Sequence, residues 1–267
     1  MKKNSALKKI LALALCALTG ASFLTGCSVK GKTLDEVKQA GKLVIGTSPD
    51  FPPFENLEGG SITGIEVDLM QLICSKLGVT MELKDMSFET VLAAVPAGKI
   101  DVGMSGISVT EKRQKNMLFT DPYCLAAQAI VVPEGSAIAS KADLSGKKIA
   151  VQTATTAEEY CLANGYSVSS FEANADAETA LLQGKVDAWV IDDLTAAAMV
   201  ADYNASSDTK LVILGEAMTT EPYAFAFAFG SETLVEEINK IIAEMLADGT
   251  IAGLFEKYDA PFTSPVK

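Results

Sequence analysis

Strand-like and helix-like segments alternate along this chain, and the alternation runs through twice. In the first pass Leu43–Thr47 reads as a strand. Glu66–Leu77 reads as a helix with Leu69, Leu72, Ile73 and Leu77 on one face and Gly78 at its end. Val79–Leu83 is a strand, and Phe88–Ala97 is a helix with Phe88, Val91, Leu92 and Val95 inward. Lys99–Met104 is a strand, and a short helix opens near Thr110. The second pass gives strands at Lys148–Gln152, Ser167–Phe171 and Val186–Ile191, with helices at Thr156–Asn164 and Asp176–Gln183 between them. Gly98-Lys99-Ile100-Asp101 matches Gly184-Lys185-Val186-Asp187, and Gly41-Lys42 opens the first half as Gly146-Lys147 opens the second. Either echo alone is a common turn; together they mark a duplicated plan. Alternating strands and helices of this length imply mostly parallel sheets with helices on both faces, an α/β fold.

Two apolar runs stand outside the repeats. Ala127–Val132 and Tyr223–Phe229 bracket the second half, which predicts two crossings between two lobes. Glu232–Ala247 reads as an amphipathic helix ended by Gly249, with a short helix following to Tyr258. The expected organisation is a discontinuous lobe 1 at 42–126 and 223–267, lobe 2 at 127–222, and a ligand-sized cleft between them.

Ahead of the lobes, Met1–Lys9 is cationic and Ile10–Leu18 is apolar but shorter than a membrane span of about 20 residues. This is the pattern of a signal peptide over 1–26. Leu24-Thr25-Gly26-Cys27 resembles the lipobox of bacterial lipoproteins, so Cys27 is the expected lipidation point and 27–41 the expected tether; the alternative is an ordinary secretory signal with a chance cysteine. Cys16 leaves with the signal. Cys74, Cys124 and Cys161 remain, an odd number without CxxC spacing, and read as small buried apolar residues.

Composition removes several functions. The chain has 22 basic and 34 acidic residues and a net charge of −12, which disfavours nucleic-acid binding. It contains no histidine, which excludes Ser-His-Asp and Cys-His nucleophile systems and His-liganded metal sites. No cofactor or metal is indicated.

Arg113 is the single arginine among those basic residues. With Thr110 as N-cap it falls in the first turn of a helix, where a cation opposes the helix dipole. The site follows the C-terminal end of a parallel strand, where such folds place ligands. A guanidinium grips a carboxylate with two parallel bonds, which lysine does not do, and Ser105 and Ser108 would complete the cradle. The alternative is a solvated arginine beside Lys112 and Lys115. The mirrored position in the second half ends in Asp192-Asp193. Asp192 follows the apolar strand directly and is the better ammonium ligand, and Asp193 reads as the cap of the next helix; the alternative makes both caps or solvated acids. A guanidinium in one lobe and a carboxylate in the other describe a site for an amino-acid zwitterion.

These residues bring a resemblance into view. The chain resembles polar amino-acid substrate-binding proteins of ABC importers, family 3 of the extracellular solute-binding proteins, from about Gly41 to Tyr258. The marks are Pro53-Phe54-Glu55, Gly64-Ile65-Glu66-Val67-Asp68-Leu69, Gly98-Lys99-Ile100-Asp101, Ser108-Val109-Thr110-Glu111-Lys112-Arg113, Phe119-Thr120-Asp121-Pro122-Tyr123, Asp143-Leu144-Ser145-Gly146-Lys147 and Asp187-Ala188. The resemblance implies the two-lobed type II periplasmic-binding-protein fold with two crossover strands as hinge. It also implies that Arg113 takes the ligand carboxylate, helped by Ser105, Gly106 and Ser108. Thr155 and Thr156 would add bonds from lobe 2, Asp192 would take the ammonium, and Phe51 and Phe88 would sandwich the side chain, though both phenylalanines also suit plain core packing.

Departures from the family pattern are Ala154 where a glycine is usual, Ser48 where some cation-binding members carry an aspartate, and Met81 where some members pair a cysteine with the one matching Cys74. The implied protein is a non-enzymatic, monomeric, lipid-anchored binder on the extracytoplasmic face of the cell membrane, serving a permease and an ATPase. Alternatives are a sensor domain for a signalling partner and a small-acid dehydratase on the same scaffold.

Overall fold

The computed structural model describes residues 30–266, so the signal peptide and Cys27 lie outside the described residues. In chain order it begins with α1 (Leu34–Ala40), β1 (Lys42–Thr47) and a small meander of β2 (Asp50–Phe51), β3 (Glu55–Glu58) and β4 (Ser61–Thr63). Next come α2 (Ile65–Leu77), β5 (Thr80–Asp85), α3 (Phe88–Ala94), β6 (Val102–Gly103), α4 (Glu111–Gln114), β7 (Leu118–Phe119) and β8 (Cys124–Ala126). The second half holds β9 (Gln128–Pro133), β10 (Lys148–Gln152), α5 (Thr156–Ala163), β11 (Ser167–Phe171), α6 (Asn174–Leu182), β12 (Ala188–Asp192), α7 (Asp193–Ser206), β13 (Leu211–Ile213) and β14 (Glu221–Tyr223). The chain closes with β15 (Ala226–Phe227), α8 (Glu232–Ala247) and α9 (Thr250–Lys257).

Two five-stranded sheets share one plan, in the orders β5-β1-β6-β15-β7 and β11-β10-β12-β9-β13. In each, three parallel strands are followed by one antiparallel strand and a fifth that runs with the first three. The antiparallel fourth strand of each sheet directly follows a crossing, β9 after β8 and β15 after β14. β1 and β12 are buried almost throughout, as strands covered on both faces must be.

The repeated Gly-Lys-Ile/Val-Asp segment has a structural cause. Gly98 and Gly184 both turn the chain at positive φ (62° and 65°), where a side chain is disfavoured. Three residues on, the Asp101 carboxylate accepts the Val44 N–H (3.0 Å) and the Asp187 carboxylate accepts the Lys148 N–H (2.7 Å). Each aspartate thus locks the edge of its parallel strand pair. The other echo is out of step: Ile45 pairs with Val102 and Ile149 with Ala188, which puts Gly41 and Gly146 one residue apart in the superposed plan.

Several boundaries differ from expectation. The crossings themselves are β8 and β14, paired antiparallel (Cys124 with Tyr223, Ala126 with Glu221), and the runs read as crossing strands follow them into the sheets. Tyr223–Phe229 is not continuous, because Phe225 leaves the ladder to exchange bonds with Thr120. Lys99–Met104 shortens to two residues, since Asp101 spends its side chain on β1. The expected tether over 27–41 is folded from Thr33 onward: Thr33 and Glu36 form a capping box, and Val37 is buried. Leu72 is partly exposed, at 38%, and Ile65, Met70 and Cys74 complete the buried face of α2 instead. α8 buries Leu234, Val235, Ile238, Ile241, Ile242 and Met245 on one stripe, about 1.5–3 kcal/mol each. Cys74, Cys124 and Cys161 are buried and unpaired.

Candidate functional site

The two sheets face one cleft at the C-terminal ends of β1, β6, β10 and β12, as parallel-sheet topology dictates. Ser48, Phe51, Phe88, Ser105, Gly106, Ser108, Arg113, Thr155, Thr156 and Asp192 all line one narrow cleft, closed down to about 10 Å³ of free space. Every residue expected at the ligand is therefore gathered in one place, joined there by Asp50 and Gln152.

Arg113 is held at the third position of α4, where its backbone N–H donates to Thr110 Oγ1 at 3.2 Å. Its side chain is buried, against the alternative of a solvated surface arginine. Nη1 donates to the Ser108 carbonyl (2.9 Å), Nη2 crosses the cleft to the Ala154 carbonyl (3.1 Å), and the guanidinium carbon lies 5.5 Å from the centre of the Phe88 ring. Burial pulls its pKa down, while Glu159, Glu221 and Asp192 oppose the change. Three of its five N–H donors have no partner among these bonds, enough to grip a carboxylate.

Asp192 ends β12 facing the same cavity. Burial, then Glu221, push its carboxyl up to about 7, against a bond donated by the Tyr223 hydroxyl. Asp192, not Asp193, occupies the helix boundary of α7, and it makes no capping bond. Asp193 instead accepts the Ala127 N–H (3.2 Å) and so ties the start of lobe 2 to the crossing.

The hydroxyl hydrogens of the cleft are directed into the protein. Ser108 and Thr156 both donate to Glu221, Thr155 donates to the Gln152 carbonyl (2.7 Å), and Ser105 donates to Glu55 (2.9 Å). Gly106 donates its N–H to Glu66 at 3.0 Å. Gly106 has φ +53°, and a Cβ there would stand 2.4 Å from the Phe51 ring, so only glycine lets Phe51 lie flat on the wall. Phe51 also stacks on Phe54 (5.7 Å between centroids), and Phe88 packs with Val91 and Ile107. Each ring therefore serves the core and the cleft together.

Sequence reasoning missed Asp50, Gln152 and Glu221. Asp50 Oδ2 accepts the Asn174 N–H (2.9 Å) and Gln152 Nε2 (3.2 Å), both from the other lobe, while Oδ1 accepts the Ser48 hydroxyl (2.9 Å). Burial pushes its carboxyl above the ordinary range. Asp50 and Gln152 stand at or just past the ends of β1 and β10, a position that could have nominated them. Glu221 lies on the crossing strand, where no periodic signal marks it.

Residues 43–261 match the family described as bacterial extracellular solute-binding proteins, family 3. The L-cystine-binding protein TcyJ of Escherichia coli K12 is 32% identical over 254 residues, which cover 92% of this chain and 94% of that protein. An ancestral arginine-binding protein bound to glutamine is 40% identical with a TM-score of 0.77, over 83% of this chain and 99% of its own. The ancestral amino acid-binding protein AncCDT-1, a precursor of cyclohexadienyl dehydratase, is 33% identical with a TM-score of 0.76, over 85% and 99% of the two chains.

Proposed function

The chain belongs to the bacterial extracellular solute-binding proteins of family 3, and from that premise we propose that it captures a free polar amino acid for an ABC importer and performs no chemistry on it. One observation carries this reading: Arg113 and Asp192, from opposite lobes, line a single cavity walled by Phe51 and Phe88. The ligand carboxylate meets the free N–H groups of Arg113, its ammonium meets Asp192, and the rings cover its side chain. With the lobes at 42–126 plus 223–267 and at 127–222, closure is a rotation about β8 and β14. The closed, ligand-filled form is the shape a membrane permease reads, and the ATPase is that permease's partner.

An amino acid of about ten heavy atoms has a ceiling near −15 kcal/mol at about −1.5 kcal/mol per atom, so micromolar binding lies well within reach. The relatives supply the ligands to try first, among them cystine, arginine and glutamine. A melting-temperature screen of the twenty amino acids and L-cystine tests the proposal: one or a few should raise the melting point, and a flat screen would remove it. The AncCDT-1 likeness keeps a dehydratase as the rival reading. Mass spectrometry of the recovered ligand decides between them, unchanged ligand favouring capture.

Lipid anchorage at Cys27 is part of the same proposal, supported by Leu24-Thr25-Gly26-Cys27 and by the cationic and apolar segments ahead of it. Among the described residues no helix is long and apolar enough to cross a membrane. Incorporation of labelled palmitate that Cys27→Ser abolishes would support the anchor, and equal labelling of both would sink it.

A further inference from the structure

Behind the cleft wall lie two acids that the binding scheme does not use. Glu55 on β3 and Glu66 on α2 are fully buried side by side, Glu55 accepting the Ser105 hydroxyl and Glu66 the N–H of the next residue, Gly106. Among the described residues no lysine or arginine pairs with either. Two adjacent carboxylates without a cation do not both ionise, because each would raise the cost of the other.

The surrounding donors distinguish the two. Glu66 accepts on both oxygens: Oε2 from the Gly106 N–H at 3.0 Å and Oε1 from the Tyr123 hydroxyl. Glu55 accepts only on Oε1, from the Ser105 hydroxyl at 2.9 Å; its Oε2 is buried with no donor facing it. Donors stabilise a carboxylate, so the charge belongs on Glu66 and the hydrogen on the bare oxygen of Glu55. Both donors to the pair that come from the cleft wall are expected ligand neighbours, Ser105 and Gly106.

We propose that Glu55 and Glu66 are positioning residues that share one proton, Glu55 carrying it and Glu66 the charge, and that the pair fixes Ser105 and Gly106 as the ligand meets them. The inference rests on the reading of the cleft as the binding site for its functional half only; the proton assignment stands apart from any ligand. One consequence is chemical. The Ser105 hydrogen is held by Glu55, and Ser105 Oγ already accepts the Ser48 N–H at 3.1 Å. What Ser105 offers the cleft is a lone pair, suited to an ammonium and not to a carboxylate.

Other titratable groups face the pair from each packed element: Asp50 from β2, and Tyr123 and Cys124 at the start of the crossing. Burial pushes the phenol and the thiol well up, so both stay neutral. Burial, followed by the charge on Glu66, likewise raises Glu55 well above the ordinary carboxylate range. A group raised on folding stabilises the native state below its unfolded pKa and loses that contribution as pH rises toward the folded value.

The test compares wild type with Glu55→Gln, which keeps an acceptor for Ser105 and supplies a donor to Glu66. In urea titrations above about pH 5.5 the wild-type folding constant should fall about tenfold more per pH unit than that of the variant, one proton of linkage. Equal slopes would overturn the assignment. The Gly106 amide resonance reads positioning: it should stay in place in Glu55→Gln and move in Glu55→Ala and Glu66→Ala. A shift in Glu55→Gln as large as in Glu55→Ala would overturn the positioning role.

Affinity for L-arginine, L-glutamine and L-cystine should follow the same order, with Glu55→Gln within about threefold of wild type and the alanine variants at least tenfold weaker. If wild type binds none of the three, the proposed ligands fail while the slope and the resonance still judge the pair. Should the alanine variants not fold, the Glu55→Gln slope and amide position decide alone.

Discussion

Arg113 is a residue whose role depends on shape as much as charge. Its fork bonds two carbonyls, one in each lobe, and lies over Phe88. Lysine keeps the charge but neither reaches both carbonyls nor presents parallel donors, so Arg113→Lys should weaken amino-acid binding at least tenfold by calorimetry with the melting point of the free protein little changed. Ala154 is the second telling residue: it holds φ 65° where L side chains are strained by about 1–2 kcal/mol. Ala154→Gly should stabilise the free protein, by about 0.5–1 kcal/mol once the extra freedom of glycine in the unfolded chain is subtracted; a loss of stability in urea titration would contradict it. Arg113 was legible in the sequence because it is alone and stands just past a strand. Glu66 was not, because an acid in the first turn of a helix reads as a solvated partner of the helix dipole, and nothing in spacing reveals that α2 turns it inward.

Among the elements, the contact between β2 and α6 decides whether the lobes stay together. Asp50 projects from lobe 1 and accepts the N–H of Asn174, the first residue of α6, so it acts as a cap supplied by the other lobe. Gln152 adds a second bond to the same oxygen, and the Asn174 amide bonds Gln152 in turn at 3.1 Å. By contrast the Lys112–Glu159 bridge across the cleft mouth is exposed and contributes little. Asp50→Ala should therefore favour the open arrangement, seen as a larger radius of gyration in solution scattering without ligand, and should weaken binding about fivefold to tenfold. An unchanged radius would mean that the crossings and the remaining bonds between the lobes, such as Arg113 to the Ala154 carbonyl, set the closed geometry without Asp50. The parallel strands and their helices were readable from period and turn residues, since β10, β11 and α8 obey local rules. The places of β9 and β15 in their sheets were readable only as two extra strands, because partner choice is a long-range property. The short crossings carry too few residues to show a period at all.

At the scale of the whole molecule, stability and binding should answer pH in opposite directions. Asp192 is raised by burial and by Glu221 to about 7, from 3.8 in an unfolded chain. Its folded pKa is the higher one, so the ligand-free protein gains most below about pH 4 and loses that contribution, a few kcal/mol at most, as pH rises through 7. A bound ammonium reverses the preference, because it favours the ionised carboxylate across the cleft. Affinity should then rise by up to tenfold per pH unit below 7 and level off above it. Melting curves with and without saturating amino acid at pH 5.5 and pH 8 separate the two effects: the free protein should melt lower at pH 8, while the increment given by ligand should be larger there. The Glu55–Glu66 pair slopes the free protein in the same sense, and Asp50 titrates in the same cleft, so the Asp192→Asn variant separates the share of the increment that belongs to Asp192. Asp192→Asn should flatten the increment and remove most of it. An increment equal at both pH values in the wild type would mean that the ammonium is held elsewhere, and the two-pole arrangement of the cleft would lose its second pole.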